Sequence, residues 1–169
     1  MLTHLGKPTA KVQASYDSRL RGFSAATDWT VLKQIVEENT LYDVYLLCVD
    51  RDAKEGRKVG LDNLERRFAE EFGGLHKTKL FIAEHAWQEI EVWLLAGCTD
   101  LPQNWKWSEV RAEEHPKEMY FDKYVTLMKL DDTPGRGRMP LGKRAGVQYA
   151  NRLRSLSPEL QDIEAKLAI

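Results

Sequence analysis

Cysteine is scarce in this 169-residue sequence: Cys48 and Cys98 are the only two. They have no metal-ligand spacing and cannot form a disulfide framework. Each stands among apolar neighbours and reads as a small buried hydrophobe. That fits a reducing, cytoplasmic setting. Long apolar runs are missing as well. None approaches the roughly 18 residues that would cross a bilayer, so no membrane span is expected. Met1 to Lys11 has no apolar core of the signal-peptide kind. Charge of either sign is not in excess, with 25 Lys and Arg against 26 Asp and Glu. A global positive field is therefore excluded, and any contact with nucleic acid needs a local basic patch. Arg136, Arg138, Lys143, Arg144, Arg152 and Arg154 offer one, or else form a solvated helix face. Repeats and low-complexity tracts are absent.

What is present suits one globular domain, with 43% hydrophobic and 30% charged residues. Val12, Ala14 and Tyr16 alternate and predict a modest strand over 11–16. Asp28 is placed to cap a helix running to about Asn39, with Trp29, Leu32, Ile35 and Val36 on one face. The run DVYLLCV, 43–49, predicts a strand buried on both faces, as in a parallel sheet. Leu61, Leu64, Phe68 and Phe72 trace a helical stripe ended by Gly73-Gly74. KTKLFIA, 77–83, predicts a second strand, followed by a helix over 86–96. This alternation indicates βαβ units in an α/β fold, with helices flanking a parallel or mixed sheet. The core spans about 10–100, and a mostly helical extension covers 101–169. Within that extension a helix is expected from Pro116 to about Met128, a basic loop over 131–140, and helices over 141–154 and 158–168. Pro158 is a good first helical residue. Trp105 and Trp107 read as packing residues.

Candidate chemistry gathers at DVYLLCVDRD. It places Asp50 and Asp52 just past the carboxyl end of a strand, the edge where open α/β sheets bind ligands. In an extended chain two residues of that spacing point the same way. Their mutual repulsion is relieved by a cation, and hard oxygen donors favour Mg²⁺ or Mn²⁺. The bland alternative is that both aspartates only cap the strand–loop junction. Within AWQEIEVWLLAG, 86–97, Ile90, Trp93, Leu94 and Gly97 form a core stripe. Glu91 lies beside that stripe and is expected to be partly buried, hence either liganded or salt-bridged. Glu89, about 200° away on the same helix, is expected in solvent. His85 is a candidate ligand or proton shuttle at the same edge. His115, His4 and His76 give no comparable signal.

LLCVDRD followed about forty residues later by EIEVWLLAG resembles TOPRIM-like proteins of the DUF4276 and RloB type. These are relatives of the nuclease domain in overcoming-lysogenization-defect proteins. The HPKE segment, 115–118, also resembles that family, and the likeness spans roughly residues 40–120. The resemblance implies a Rossmann-like TOPRIM domain that cleaves nucleic-acid phosphodiesters, DNA or RNA, with Mg²⁺ or Mn²⁺. Asp50, Asp52 and Glu91 would be its metal-binding and catalytic residues. Lys143, Lys117 and Arg144 are the candidates to neutralise the substrate phosphate. The resemblance further implies work in phage defence beside an ABC- or SMC-type ATPase, with homo-oligomers also allowed. TOPRIM domains open with a strand ending in Val-Glu-Gly, and nothing in residues 1–16 matches it. The domain thus reads as though it starts after the first β–α unit. A catalytically degenerate subunit that binds an ATPase or nucleic acid is the alternative. A phosphatase of the haloacid-dehalogenase type also uses D-x-D after a strand, but wants Thr or Val where this chain has Lys54.

Overall fold

The structure, a computed structural model, describes residues 1–3, 5–73 and 79–168. His4, His76 and the opening Lys77-Thr78 of the second expected strand lie outside the described residues, as does Gly74. The chain forms two compact units: residues 11–49 with 54–84, and residues 1–10, 50–53 and 85–169.

The first unit holds α1 (Phe23–Ala26), α2 (Trp29–Glu38), most of β1 (Val44–Asp50), α3 (Arg57–Phe72) and most of β2 (Leu80–Ala86). Asp28 caps α2 as expected, its carboxylate accepting the N–H groups of Thr30 and Val31. Leu61, Leu64, Phe68 and Phe72 are all buried, and they meet Trp29, Leu32 and Val36 in one core. Phe68 stacks on Phe72 and Phe81 at centroid distances of 4.9 and 5.5 Å. Among the described residues the sheet consists of β1 and β2. Leu80 N–H donates to the Asp43 carbonyl and Arg51 N–H to that of Ala86, so the pairing advances in the same direction along both strands. That is a parallel βαβ arrangement.

Two expectations for this unit do not hold. β1 is not buried on both faces. Tyr45, Leu47 and Val49 pack on the core, whereas Val44 and Leu46 are 40% and 51% exposed. The unbroken apolar run conceals uneven coverage: the core packs on the odd-numbered face, and on the even-numbered face Val44 and Leu46 are exposed while Cys48 is half-buried. Residues 11–16 form no strand, and Val12 and Tyr16 are exposed. Their alternation finds no ladder partner in this unit.

The second unit is helical: α4 (Glu91–Ala96), α5 (Trp107–Ala112), a π-helical turn (Lys117–Phe121) leading into α6 (Asp122–Leu127), α7 (Arg138–Val147), a second π turn (Tyr149–Leu153), α8 (Arg154–Leu156) and α9 (Pro158–Leu167). Its core is Leu95, Cys98, Val110, Phe121, Tyr124, Val125 and Leu141, with Trp105 and Trp107 packed against it. Pro158 opens α9 as expected. The predicted basic loop over 131–140 is shorter than expected. Gly137, at φ 83°, turns the chain into α7 three residues before the expected start.

Candidate functional site

The expected helix over 86–96 begins only at Glu91. β2 runs on to Ala86, and residues 87–90 form a turn in which Gln88 takes a left-handed backbone, φ 67°. Beside it, the chain leaving β1 also turns, with Asp52 and Ala53 at φ 47° and 54°. Hydrogen bonds join the two turns. Asp52 N–H donates to the Gln88 carbonyl at 3.0 Å. Ala53 N–H donates to Gln88 Oε1 at 2.8 Å, and Ile90 N–H donates to Asp50 Oδ1 at 2.8 Å. Gln88 is buried and spans two of these bonds, an arrangement that fixes where Asp50 sits.

This geometry revises three expectations. Asp50 is the last residue of β1 rather than a residue beyond it. Asp52 follows in a left-handed turn, so strand alternation does not aim the two carboxylates together. Glu89 is half-buried rather than solvated: its Oε2 accepts the Lys117 N–H at 2.8 Å. The 200° separation from Glu91 presumed a helix that has not yet begun at Glu89.

Burial, foremost, raises the Glu89 carboxyl above its usual range, and the charges of Glu118, Glu91 and Asp50 push the same way. Glu89 therefore stands in the field of the acidic residues on the β1 end and on α4. The E-x-E spacing that mirrors D-x-D was the available signal for it. A carboxyl raised in the fold contributes stability that is full below its unfolded value of 4.5 and is lost as pH rises through its folded value. Glu89→Gln keeps an acceptor for Lys117 N–H but removes the charge. It is expected to raise the thermal midpoint at pH 7 and to leave it unchanged at pH 4, as read by scanning calorimetry at the two pH values. A lower midpoint at pH 7 would contradict the charge argument.

Glu91 is 4% exposed, as expected, although Ile90 of the expected core stripe precedes the helix and is 39% exposed. Its carboxylate is met by Arg138 of α7, whose Nε lies 2.8 Å from Oε1 and whose Nη2 also donates to it. This is the salt-bridged alternative for Glu91. His85 is buried within β2, and His115 is exposed. Of the phosphate candidates, Lys117 Nζ is 3.2 Å from Glu118 and Arg144 Nη2 is 2.7 Å from Asp100. Lys143 is exposed on α7. Arg154 pairs with Glu164. Much of the basic C-terminal sequence is thus spent inside the helical unit. Among the described residues, no three His, Cys, Asp or Glu side chains are grouped to hold a metal ion. Asp50, Asp52 and Glu91 do not converge into a three-carboxylate cage.

Comparison with known proteins finds no protein family, curated protein or solved structure that the chain matches. Among the described residues no helix is long and apolar enough to cross a membrane.

Proposed function

We propose that the chain is a TOPRIM-like nuclease that cleaves nucleic-acid phosphodiesters with Mg²⁺ or Mn²⁺ held by Asp50 and Asp52. The observation that supports this reading most is the position of Asp50. It ends a parallel strand, is pinned by Ile90 N–H, and shares its field with Glu89 and Glu91. Negative charge concentrated at that edge favours a cation. The donor set is all oxygen, which suits hard ions. Mg²⁺ commonly takes one or two carboxylates and completes its shell with waters and substrate phosphate, so two aspartates without a third protein ligand are an adequate set. Once bound, the ion would lower the pKa of a water and polarise the phosphorus centre. The protein's own contribution is to hold Asp50 rigidly through the Gln88 turn and to orient the nucleic-acid strand. By its sequence resemblance, the proposal extends to phage defence beside an ATPase partner.

One observation favours a second reading, that of a non-catalytic subunit binding an ATPase or nucleic acid. The Arg138 guanidinium already neutralises Glu91. Labelled single-stranded DNA, duplex DNA and RNA, each incubated with Mn²⁺, Mg²⁺ or EDTA, separate the two. Cleavage that needs the metal supports the nuclease. Oligonucleotide binding with no cleavage under any of these conditions supports the subunit.

A further inference from the structure

Between the two aspartates in sequence lies Arg51. The Arg51 guanidinium lies over Trp87, its carbon 3.8 Å from the ring centroid. Trp87 is the first residue of the turn that pins Asp50, and its indole N–H donates to the Arg111 carbonyl at 2.7 Å. Arg111 approaches the same ring at 5.2 Å. It is in turn clamped by Glu159, with Nη2–Oε1 at 2.6 Å and Nη1–Oε2 at 3.3 Å. The indole thus carries two guanidinium groups of different fates. Arg111 is neutralised by a buried carboxylate, whereas Arg51 enters no ion pair among the described residues.

We infer that Arg51 is the phosphate-binding residue of the acidic edge, taking a phosphodiester oxygen pair of a nucleic-acid strand. The inference rests on the nucleic-acid reading above and deepens it. Stacking uses the face of a guanidinium and leaves its in-plane N–H fork for a bidentate acceptor, which phosphate matches. The stack also costs the side chain its rotamer freedom before any ligand arrives, which favours binding. An edge carrying Asp50, Asp52 and Glu89 repels a polyanion unless a cation accompanies them, and Arg51 stands between the two aspartates in sequence and over Trp87 of the adjoining turn. Of the three candidates from the sequence, Lys117 and Arg144 are already paired with Glu118 and Asp100, and Lys143 stands exposed on α7.

The test measures binding of a labelled oligothymidylate to the full chain in EDTA over a series of NaCl concentrations. Arg51→Gln is expected to weaken binding roughly tenfold and to flatten the slope of log affinity against log salt by about 0.7, one single-strand phosphate contact. Arg51→Lys is expected to keep the slope and still lose affinity, because a point charge replaces a fork. It carries the test if Arg51→Gln does not fold, as judged by its melting transition. Wild-type affinity and slope in either variant, or no binding by the wild type, overturns the inference. Cleavage plays no part in this measurement. Arg51-dependent binding by a chain that never cleaves would sink the nuclease reading and leave this one standing.

Discussion

Asp50→Asn is expected to abolish metal-dependent cleavage, with a loss of roughly 100-fold or more, while the protein unfolds within a few degrees of the wild type. The two halves of this expectation have separate causes. Asn offers the same Oδ1 acceptor to Ile90 N–H, so the bond that ties the β1 end to the following turn survives. What disappears is the negative charge, and with it the affinity for a hard cation. Asp52→Asn has the same logic in another backbone setting. Residue 52 sits at φ 47°, a left-handed conformation in which Asn is among the best-tolerated residues with a side chain. Both variants therefore remove charge with little strain. Single-turnover cleavage of labelled DNA, measured beside thermal melting, reads both outcomes. Unchanged cleavage in Asp50→Asn would remove Asp50 from the chemistry.

The largest expected effect on stability comes from one methyl group elsewhere in the helical unit. A Cβ built on Gly97, the residue that ends α4, would lie 2.3 Å from both the Cα and the Cβ of Ala145 on α7. No rotamer relieves a clash with backbone, so Gly97→Ala must push the two helices apart. The cost is placed at or above the top of the usual range for overpacking, about 3 kcal/mol. Gly146, the next residue on α7, is the internal control, since a Cβ there meets nothing within 4 Å. Gly146→Ala is expected to stabilise by about 0.5–1 kcal/mol, through helix propensity and a less free unfolded chain. Urea unfolding of the two variants should therefore move in opposite directions. Equal and small shifts would mean that α4 and α7 do not approach this closely. The displacement should also reach Glu91, which begins α4 and is held by Arg138 at the start of α7.

Local signals in the sequence translated well into structure. The Asp28 cap, the Leu61-Leu64-Phe68-Phe72 stripe and the Pro158 start depend on neighbours within a turn or two, and each is found where its spacing puts it. Features set by distant partners did not. The apolar run of β1 could not show that Val44 and Leu46 would stay exposed, because coverage depends on residues elsewhere in the chain. The Glu91–Arg138 pair joins residues 47 apart, and burial of Glu91 was legible while the identity of its partner was not. The turn at 87–90 was hidden because Trp87-Gln88-Glu89-Ile90 holds no glycine or proline to announce it. Gln88 pays for its left-handed backbone with two bonds to the chain after β1. That tertiary exchange moved Glu89 from the predicted solvent face into the acidic edge and brought Trp87 beneath Arg51.

The central claim is that this edge binds a divalent cation through Asp50 and Asp52. Mn²⁺ titration at neutral pH, followed by the loss of the free-ion electron paramagnetic resonance signal and by the thermal midpoint, tests it most directly. Saturable binding by the wild type with a rising midpoint is expected, as ligand linkage requires, and neither effect in the Asp50→Asn, Asp52→Asn double variant. A wild type that leaves the Mn²⁺ signal untouched at millimolar concentration, or a double variant that binds as the wild type does, would contradict it.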